Sequence, residues 1–229
     1  MRRRVTAPTD IQGWLTDAQA ERLRAAASRQ SPSAQVVEIG SFHGKSAVVL
    51  AAAAPAGARV VCIDPHLGSD RGPQEIAADH ARGQGDYETF HANLARHGVT
   101  DTITHVRELS SDALGAVEGP IDVLYVDGAH RYGPASDDLV RWGDRVPEGG
   151  TMLVHDSFSS IGVTLALLRH VTFGPWTYAG RSGSLAEFRR GRGGAASALR
   201  QLAQLPWFAR NIIIKTLILA RVKRGPWPY

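Results

Sequence analysis

Short apolar runs recur along the chain, each stopping at a glycine or a polar residue and each followed by apolar side chains at helical spacing. The runs fall at residues 36–39, 60–63, 103–106, 121–126 and 151–154, and helical patterns lie at 45–54, 87–97, 112–117, 134–145 and 160–170. A short, largely apolar run suits a strand covered on both faces. Strands alternating with helices build a parallel sheet between two helical layers. Two more strand-like runs, 176–179 and 185–188, flank Gly-Arg-Ser-Gly and predict a closing hairpin.

The expected fold is therefore α/β: a Rossmann-like, doubly wound, mostly parallel seven-stranded sheet with an antiparallel closing hairpin and helices at both termini. Thr16, followed three residues later by Gln19, forms a capping-box pattern that predicts a packing helix through about Ser28, with Leu15, Ala18, Leu23 and Ala26 as its apolar positions. The pattern divides into an N-terminal helical extension (1–30), a main domain (31–190) and, beyond the Gly-rich 191–194, a basic and apolar helical tail (191–229).

Composition narrows the partners. The 229 residues carry a net charge of +4, with 26 basic against 22 acidic side chains. So mild an excess does not point to nucleic acid. Cys62 is the sole cysteine, which excludes an intrachain disulfide and a cysteine-based zinc cluster. The three arginines at the N-terminus are followed by polar residues rather than a signal-like apolar stretch, and a cytoplasmic protein is expected. The tail stretch 212–220 is interrupted by Lys215 and is too short for a membrane span. It is too apolar for a free surface, so a homodimer contact or packing against the domain is expected. Contact with an anionic membrane surface is the alternative.

In sheets of this kind ligands bind beyond the carboxyl ends of the strands. Those ends carry Glu38 and Gly40, Asp64, Ser110 to Asp112, Asp127 and Asp156. The polar, glycine-containing stretch 65–86 reads as a mobile cover over that edge. Gly44-Lys45-Ser46 looks like a phosphate-binding loop, but only three residues separate Gly40 from Gly44 where that motif needs four. Glu38 would also face phosphate oxygens unfavourably. Asp64, 24 residues beyond Gly40, stands where such sheets place the acid that binds ribose hydroxyls.

Glu38-x-Gly40-x-x-x-Gly44, Asp64 in Cys-Ile-Asp-Pro-His, and Ser110 to Asp112 together resemble the class I S-adenosylmethionine-dependent methyltransferases, over about residues 14–188. The resemblance implies that Glu38, Gly40 and Gly44, with Ser41 and Ser46 of the same loop, line the amino-acid end of the cofactor. It likewise places Asp64 at the ribose and Ser111 and Asp112 near the adenine. Lys45 reads more simply as a solvated residue at a helix start.

Asp127 and Asp156 end neighbouring apolar runs, so their carboxylates can converge, and two such charges call for a cation between them. With Ser157 as a third oxygen, Mg²⁺ is expected, and Mn²⁺ could substitute. On the plainer reading both acids cap local backbone. Val-Asp-Gly-Ala-His-Arg-Tyr with His-Asp-Ser-Phe is similar to the metal-dependent O-methyltransferases, including those acting on sugar hydroxyls of macrolides and polysaccharides. Catechol-type members carry an Asp-Asn pair where this chain has Asp156-Ser157. That resemblance implies a divalent ion holding the acceptor oxygens, Asp127 near both cofactor and metal, and His130 as the base. His130 could instead be a turn histidine, His155 a packing residue or ligand, and His43 and His66 loop residues. The expected activity is methylation of a sugar or saccharide hydroxyl on a small-molecule or oligosaccharide acceptor, with a catechol or phenol as the alternative and an inactive cofactor-binding scaffold as the non-enzymatic one.

Overall fold

The structure is a computed structural model that describes residues 6–69 and 76–222. Strands β1 (Gln35–Ile39), β2 (Arg59–Ile63), β3 (Ile103–Val106), β4 (Val123–Val126) and β5 (Thr151–Val154) run parallel, and β6 (Trp176–Ser182) with β7 (Leu185–Arg190) forms the hairpin. The sheet order is β3-β2-β1-β4-β5-β7-β6, with β7 antiparallel to both neighbours. Strand order reverses between β1 and β4, which opens a crevice at their carboxyl ends.

Every residue of β1, β4 and β5 is buried, which explains why these strands are mostly apolar. The two-residue repeat still sorts their side chains. Val37, Ile39, Leu124, Val126, Met152 and Val154 enter one core layer with Trp142, Phe158 and Leu167. Val36, Val60, Cys62, Tyr125 and Leu153 enter the other, against α1 (Asp17–Ala27), α2 (Lys45–Ala53) and α3 (His80–Arg96) through Leu23, Leu50 and Phe90. By the same alternation Glu38 falls in that second layer, paired in register with Cys62 and Tyr125.

Both capping-box bonds form: Gln19 N donates to Thr16 Oγ1 at 3.3 Å and Thr16 N donates to Gln19 Oε1 at 2.8 Å. Ala18 is exposed rather than on the packed face, where Gln19 and Ala20 take its place. Gln19 Nε2 donates to Ser184 Oγ at 3.2 Å, so α1 is fastened to the hairpin turn.

Three expectations change. The helix expected from 87 begins at His80, capped by Asp79 Oδ1 accepting from Arg82 N at 2.7 Å, so the last seven residues of the expected cover are helical. Residues 70–75 of that stretch lie outside the described residues. The pattern at 112–117 is only a 3₁₀ turn, Ala113–Ala116, and that at 134–145 is broken into α4 (Tyr132–Asp137), a π-helical stretch (Asp138–Trp142) and a 3₁₀ turn. The chain continues through α5 (Ile161–His170), α6 (Ala195–Leu202) and α7 (Leu205–Leu219). Among the described residues no helix is long and apolar enough to cross a membrane.

Candidate active site

The crevice at the switch point is a cavity of about 560 Å³, a size that suits a bound small molecule. Gly40, Ser41, Ser46, Asp64, Ser111, Asp127, His130, His155 and Asp156 line it, whereas Glu38, Gly44, Asp112 and Ser157 do not.

The glycine loop forms the floor. Gly40 has φ +85°, and a β-carbon there would overlap the carbonyl oxygen of Asp127. Glycine is therefore required by both conformation and space. Gly44, also left-handed, caps α2 and packs against Phe90. Glu38 lies beneath the loop, fully buried: Ser46 Oγ donates to its Oε1 and Cys62 Sγ donates to Oε2 at 3.2 Å. Burial, reinforced by the charge of Asp127, raises its pKa to about 7 against the hydrogen bonds that favour the carboxylate. Glu38 thus supports the loop through Ser46.

Asp64 shapes the same loop from β2. Its Oδ2 accepts from Ser41 N at 2.9 Å and Phe42 N at 2.8 Å, and its Oδ1 accepts from His66 N at 2.8 Å. Phe42 and His66 both sit at positive φ, at +45° and +46°. Three backbone donors on one carboxylate hold these unfavourable conformations in place. Ser111 lies at the cavity rim, donating to Asp112 Oδ1 at 3.1 Å.

The second half of the site is built on the ends of β4 and β5, which pair in register through Val126 and Val154. Asp127, His130 and Asp156 each present a ligand atom within 4.8 Å of the others. His130 Nε2 lies 3.0 Å from Asp156 Oδ2, and His155 Nδ1 lies 3.2 Å from both Asp127 Oδ1 and Asp156 Oδ2. Tyr125 Oη donates to Asp127 Oδ2 at 2.8 Å. The His130 segment is pressed onto α5 at Gly162, where a β-carbon would overlap the His130 carbonyl oxygen. Asp156 itself has φ +52°, and strain of this kind concentrates at functional sites.

The charges are mutually dependent. Burial disfavours the imidazolium of His130, but its hydrogen bond to Asp156 and the nearby carboxylates outweigh this and raise its pKa. Burial likewise opposes charge on His155, yet Asp127 and Asp156 hold its pKa well above the usual histidine value. Burial would raise the Asp156 pKa, but the two imidazoles drive it well below the carboxylate range. A pair of acids that would repel each other is compensated by a pair of histidines.

Ser157, expected as a third ligand, is fully buried and its hydroxyl donates to the Val154 carbonyl oxygen at 2.8 Å. The polar groups beside the two acids are two imidazoles and the Tyr125 hydroxyl. Two carboxylates and an imidazole nitrogen within this spacing fit a divalent cation.

Several lining residues were not singled out from sequence. Gln12, Gly13 and Trp14 form a wall ahead of α1, with Trp14 5.7 Å from Phe42 and Phe42 stacked on His43 at 3.7 Å. The lone tryptophan before the capping box was the only available signal. His43 Nε2 in turn meets Asp86 Oδ1 at 2.9 Å. Asp138 also lines the cavity, and burial raises its pKa to about 6. His155, like His130, neighbours the Asp156 carboxylate and belongs to the same cluster.

Comparison with known proteins agrees with this geometry. Residues 37–157 match the model of the family described as Methyltransferase domain. The O-methyltransferase TomG from Streptomyces achromogenes, involved in tomaymycin synthesis and solved with S-adenosylmethionine, is 19% identical over 79% of this chain and 82% of its own, with a TM-score of 0.58. The O-methyltransferase NovP is 19% identical over 77% of this chain and 81% of its own, with a TM-score of 0.63. An O-methyltransferase from Bacillus cereus, solved with S-adenosylhomocysteine, is 17% identical over 82% and 83% of the two chains, with a TM-score of 0.55. At these identities the likeness to solved structures speaks to the fold, while the family match covers more than half of the chain. The chain belongs to the methyltransferase-domain family and has the fold of the class I S-adenosylmethionine-dependent methyltransferases.

Proposed function

We propose that the protein is an O-methyltransferase that moves the methyl group of S-adenosylmethionine to a hydroxyl of a sugar or saccharide. The observation that carries this reading is the convergence of Asp127, His130 and Asp156 on the cavity whose floor is the Gly40 loop. Cofactor loop and acid-histidine cluster meet where Gly40 abuts Asp127, so donor and acceptor share one space.

In this reading Gly40, Ser41 and Ser46 face the amino-acid end of the cofactor, Asp64 the ribose and Ser111 the adenine rim. Asp127 and Asp156 hold a divalent cation, Mg²⁺ or Mn²⁺, which when bound would favour the alkoxide form of the acceptor hydroxyl. The neighbouring imidazole makes the site less particular to Mg²⁺ than an oxygen-only set. His130 takes the hydroxyl proton: with Nε2 directed at Asp156, Nδ1 is the nitrogen that accepts it. Asp156 then stabilises the imidazolium. The acceptor oxygen attacks the methyl carbon in line with the departing sulfur, and holding that alignment supplies much of the rate.

A phenolic acceptor is the second reading, favoured by the Trp14 and Phe42 rings on the cavity wall. Calorimetry with S-adenosylhomocysteine and with ATP tests the cofactor half: binding of ATP alone would overturn it. Transfer from methyl-labelled cofactor to hydroxylated sugars or to phenols separates the two acceptor classes.

A further inference from the structure

The last 42 residues, from Phe188 to Tyr229, hold nine of the 26 basic side chains and none of the 22 acids, so the end of β7 and the tail together carry +9 against −5 for the rest of a chain of net +4. Much of this tail is α7, and α7 is seated in an unusual way. Its one fully buried residue is Asn211, whose Nδ2 donates to the Phe158 carbonyl oxygen at 3.2 Å. One turn on, Lys215 Nζ donates to Ser159 O at 2.7 Å and to Ser159 Oγ at 3.0 Å. Trp207 and Phe208 pack on the core at the start of the helix; beyond them polar side chains grip the domain, while Ile213 and Leu219 stand 60% and 71% exposed, with Arg210 and Arg221 exposed beside them. A surface helix in water ordinarily does the reverse.

We propose that α7 is an interfacial helix that lies on an anionic lipid surface. An aliphatic face flanked by arginines and free of acids is what such a surface binds, through apolar insertion and attraction to the headgroups. The helix is too short to cross a bilayer, which leaves lying upon one. A two-fold contact through α7 would bring the exposed Arg210 and Arg221 of each copy together with no acid beyond Glu187 to offset them, a repulsive arrangement. Nucleic acid would use the arginines but leave Ile213 and Leu219 in water. Because α7 holds the Phe158–Ser159 loop immediately after Asp156, the seated helix keeps the cavity close to the lipid surface.

The test is flotation of the full-length protein with phosphatidylcholine vesicles that contain about one third phosphatidylglycerol, alongside pure phosphatidylcholine vesicles. The protein should float with the anionic vesicles only, and its bound fraction should fall several-fold between about 0.1 and about 0.5 M salt. The double substitution Ile213→Glu with Leu219→Glu should lower partitioning at least about tenfold, with the circular dichroism and the affinity for S-adenosylhomocysteine unchanged. The proposal is overturned if the protein does not float, or if the double variant floats as well as the parent. A dimer that dissociates in the double variant, without flotation of the parent, would assign the face to a second copy. Oligonucleotide binding without flotation would assign the charge to nucleic acid.

Discussion

Gly40 and Asp127 stand backbone against backbone: Gly40 turns at φ +85° directly beneath the Asp127 carbonyl oxygen, and Asp127 N donates to Ile39 O at 2.8 Å. The Gly40 loop and the acid-histidine cluster are thereby one unit, built where the strand order reverses.

Gly40→Ala should consequently damage both halves together. The variant should lose at least about 2 kcal/mol of stability and most of its affinity for S-adenosylhomocysteine. Urea unfolding and calorimetry measure the two effects. Gly115→Ala, at a site where an added β-carbon meets nothing within 4 Å, is the control and should be near neutral.

His130 makes its polar contact with Asp156 and lies at the cavity surface. His130→Ala should lower kcat by about a hundredfold to ten-thousandfold while leaving S-adenosylhomocysteine affinity nearly unchanged. A parallel loss of cofactor affinity would show that His130 supports binding rather than proton transfer.

Glu38 yields a pH signature of the opposite sign to an ion-paired acid. Its pKa rises from 4.5 to about 7 on folding, so between those values the folded chain retains a proton that the unfolded chain releases. Below 4.5 both states are protonated and Glu38 contributes no pH dependence. As pH rises toward 7 a penalty accumulates, reaching roughly 3 kcal/mol above it. Glu38→Gln should therefore become more stable relative to the parent as pH rises from 5 to 8, as read by urea unfolding. A stability difference independent of pH would contradict a proton-holding Glu38.

Removal of divalent cations addresses the cluster directly. Turnover should vanish in EDTA and return with Mg²⁺ or Mn²⁺, and Asp127→Ala should not be rescued. Full activity in EDTA would leave proton transfer by the histidine-acid pair as the only chemistry at this site.

The strands were legible in the sequence because burial on both faces keeps most of their residues apolar, and so were their ends, because polar and acidic residues cluster where the chain leaves the sheet. Strand ends in turn located Asp64, Asp127 and Asp156. Side-chain direction was less accessible. Glu38 looked like a cavity residue, yet the two-residue repeat turns it into the layer with Cys62, under Ser46. Ser157 looked like a ligand by adjacency to Asp156, but the chain reverses there through residues at positive φ, Asp156 at +52° and Phe158 at +57°, and the hydroxyl turns inward to Val154. The start of α3 was hidden by Gly83 and Gly85, which weaken a helical pattern; Gly83 is kept because a β-carbon there would strike the His66 carbonyl oxygen. The composition of the apolar tail shows that it needs a partner, but its seating through Asn211 and Lys215 depends on the distant Phe158–Ser159 loop, which no local pattern encodes.

The most direct test is transfer of label from methyl-labelled S-adenosylmethionine to a panel of saccharides and phenols, with the product located by mass spectrometry. The account predicts one methyl group on a saccharide oxygen, absent with Asp127→Ala and absent in EDTA. Label on nitrogen or carbon, or no transfer to any hydroxyl by a protein that binds S-adenosylhomocysteine, would contradict it.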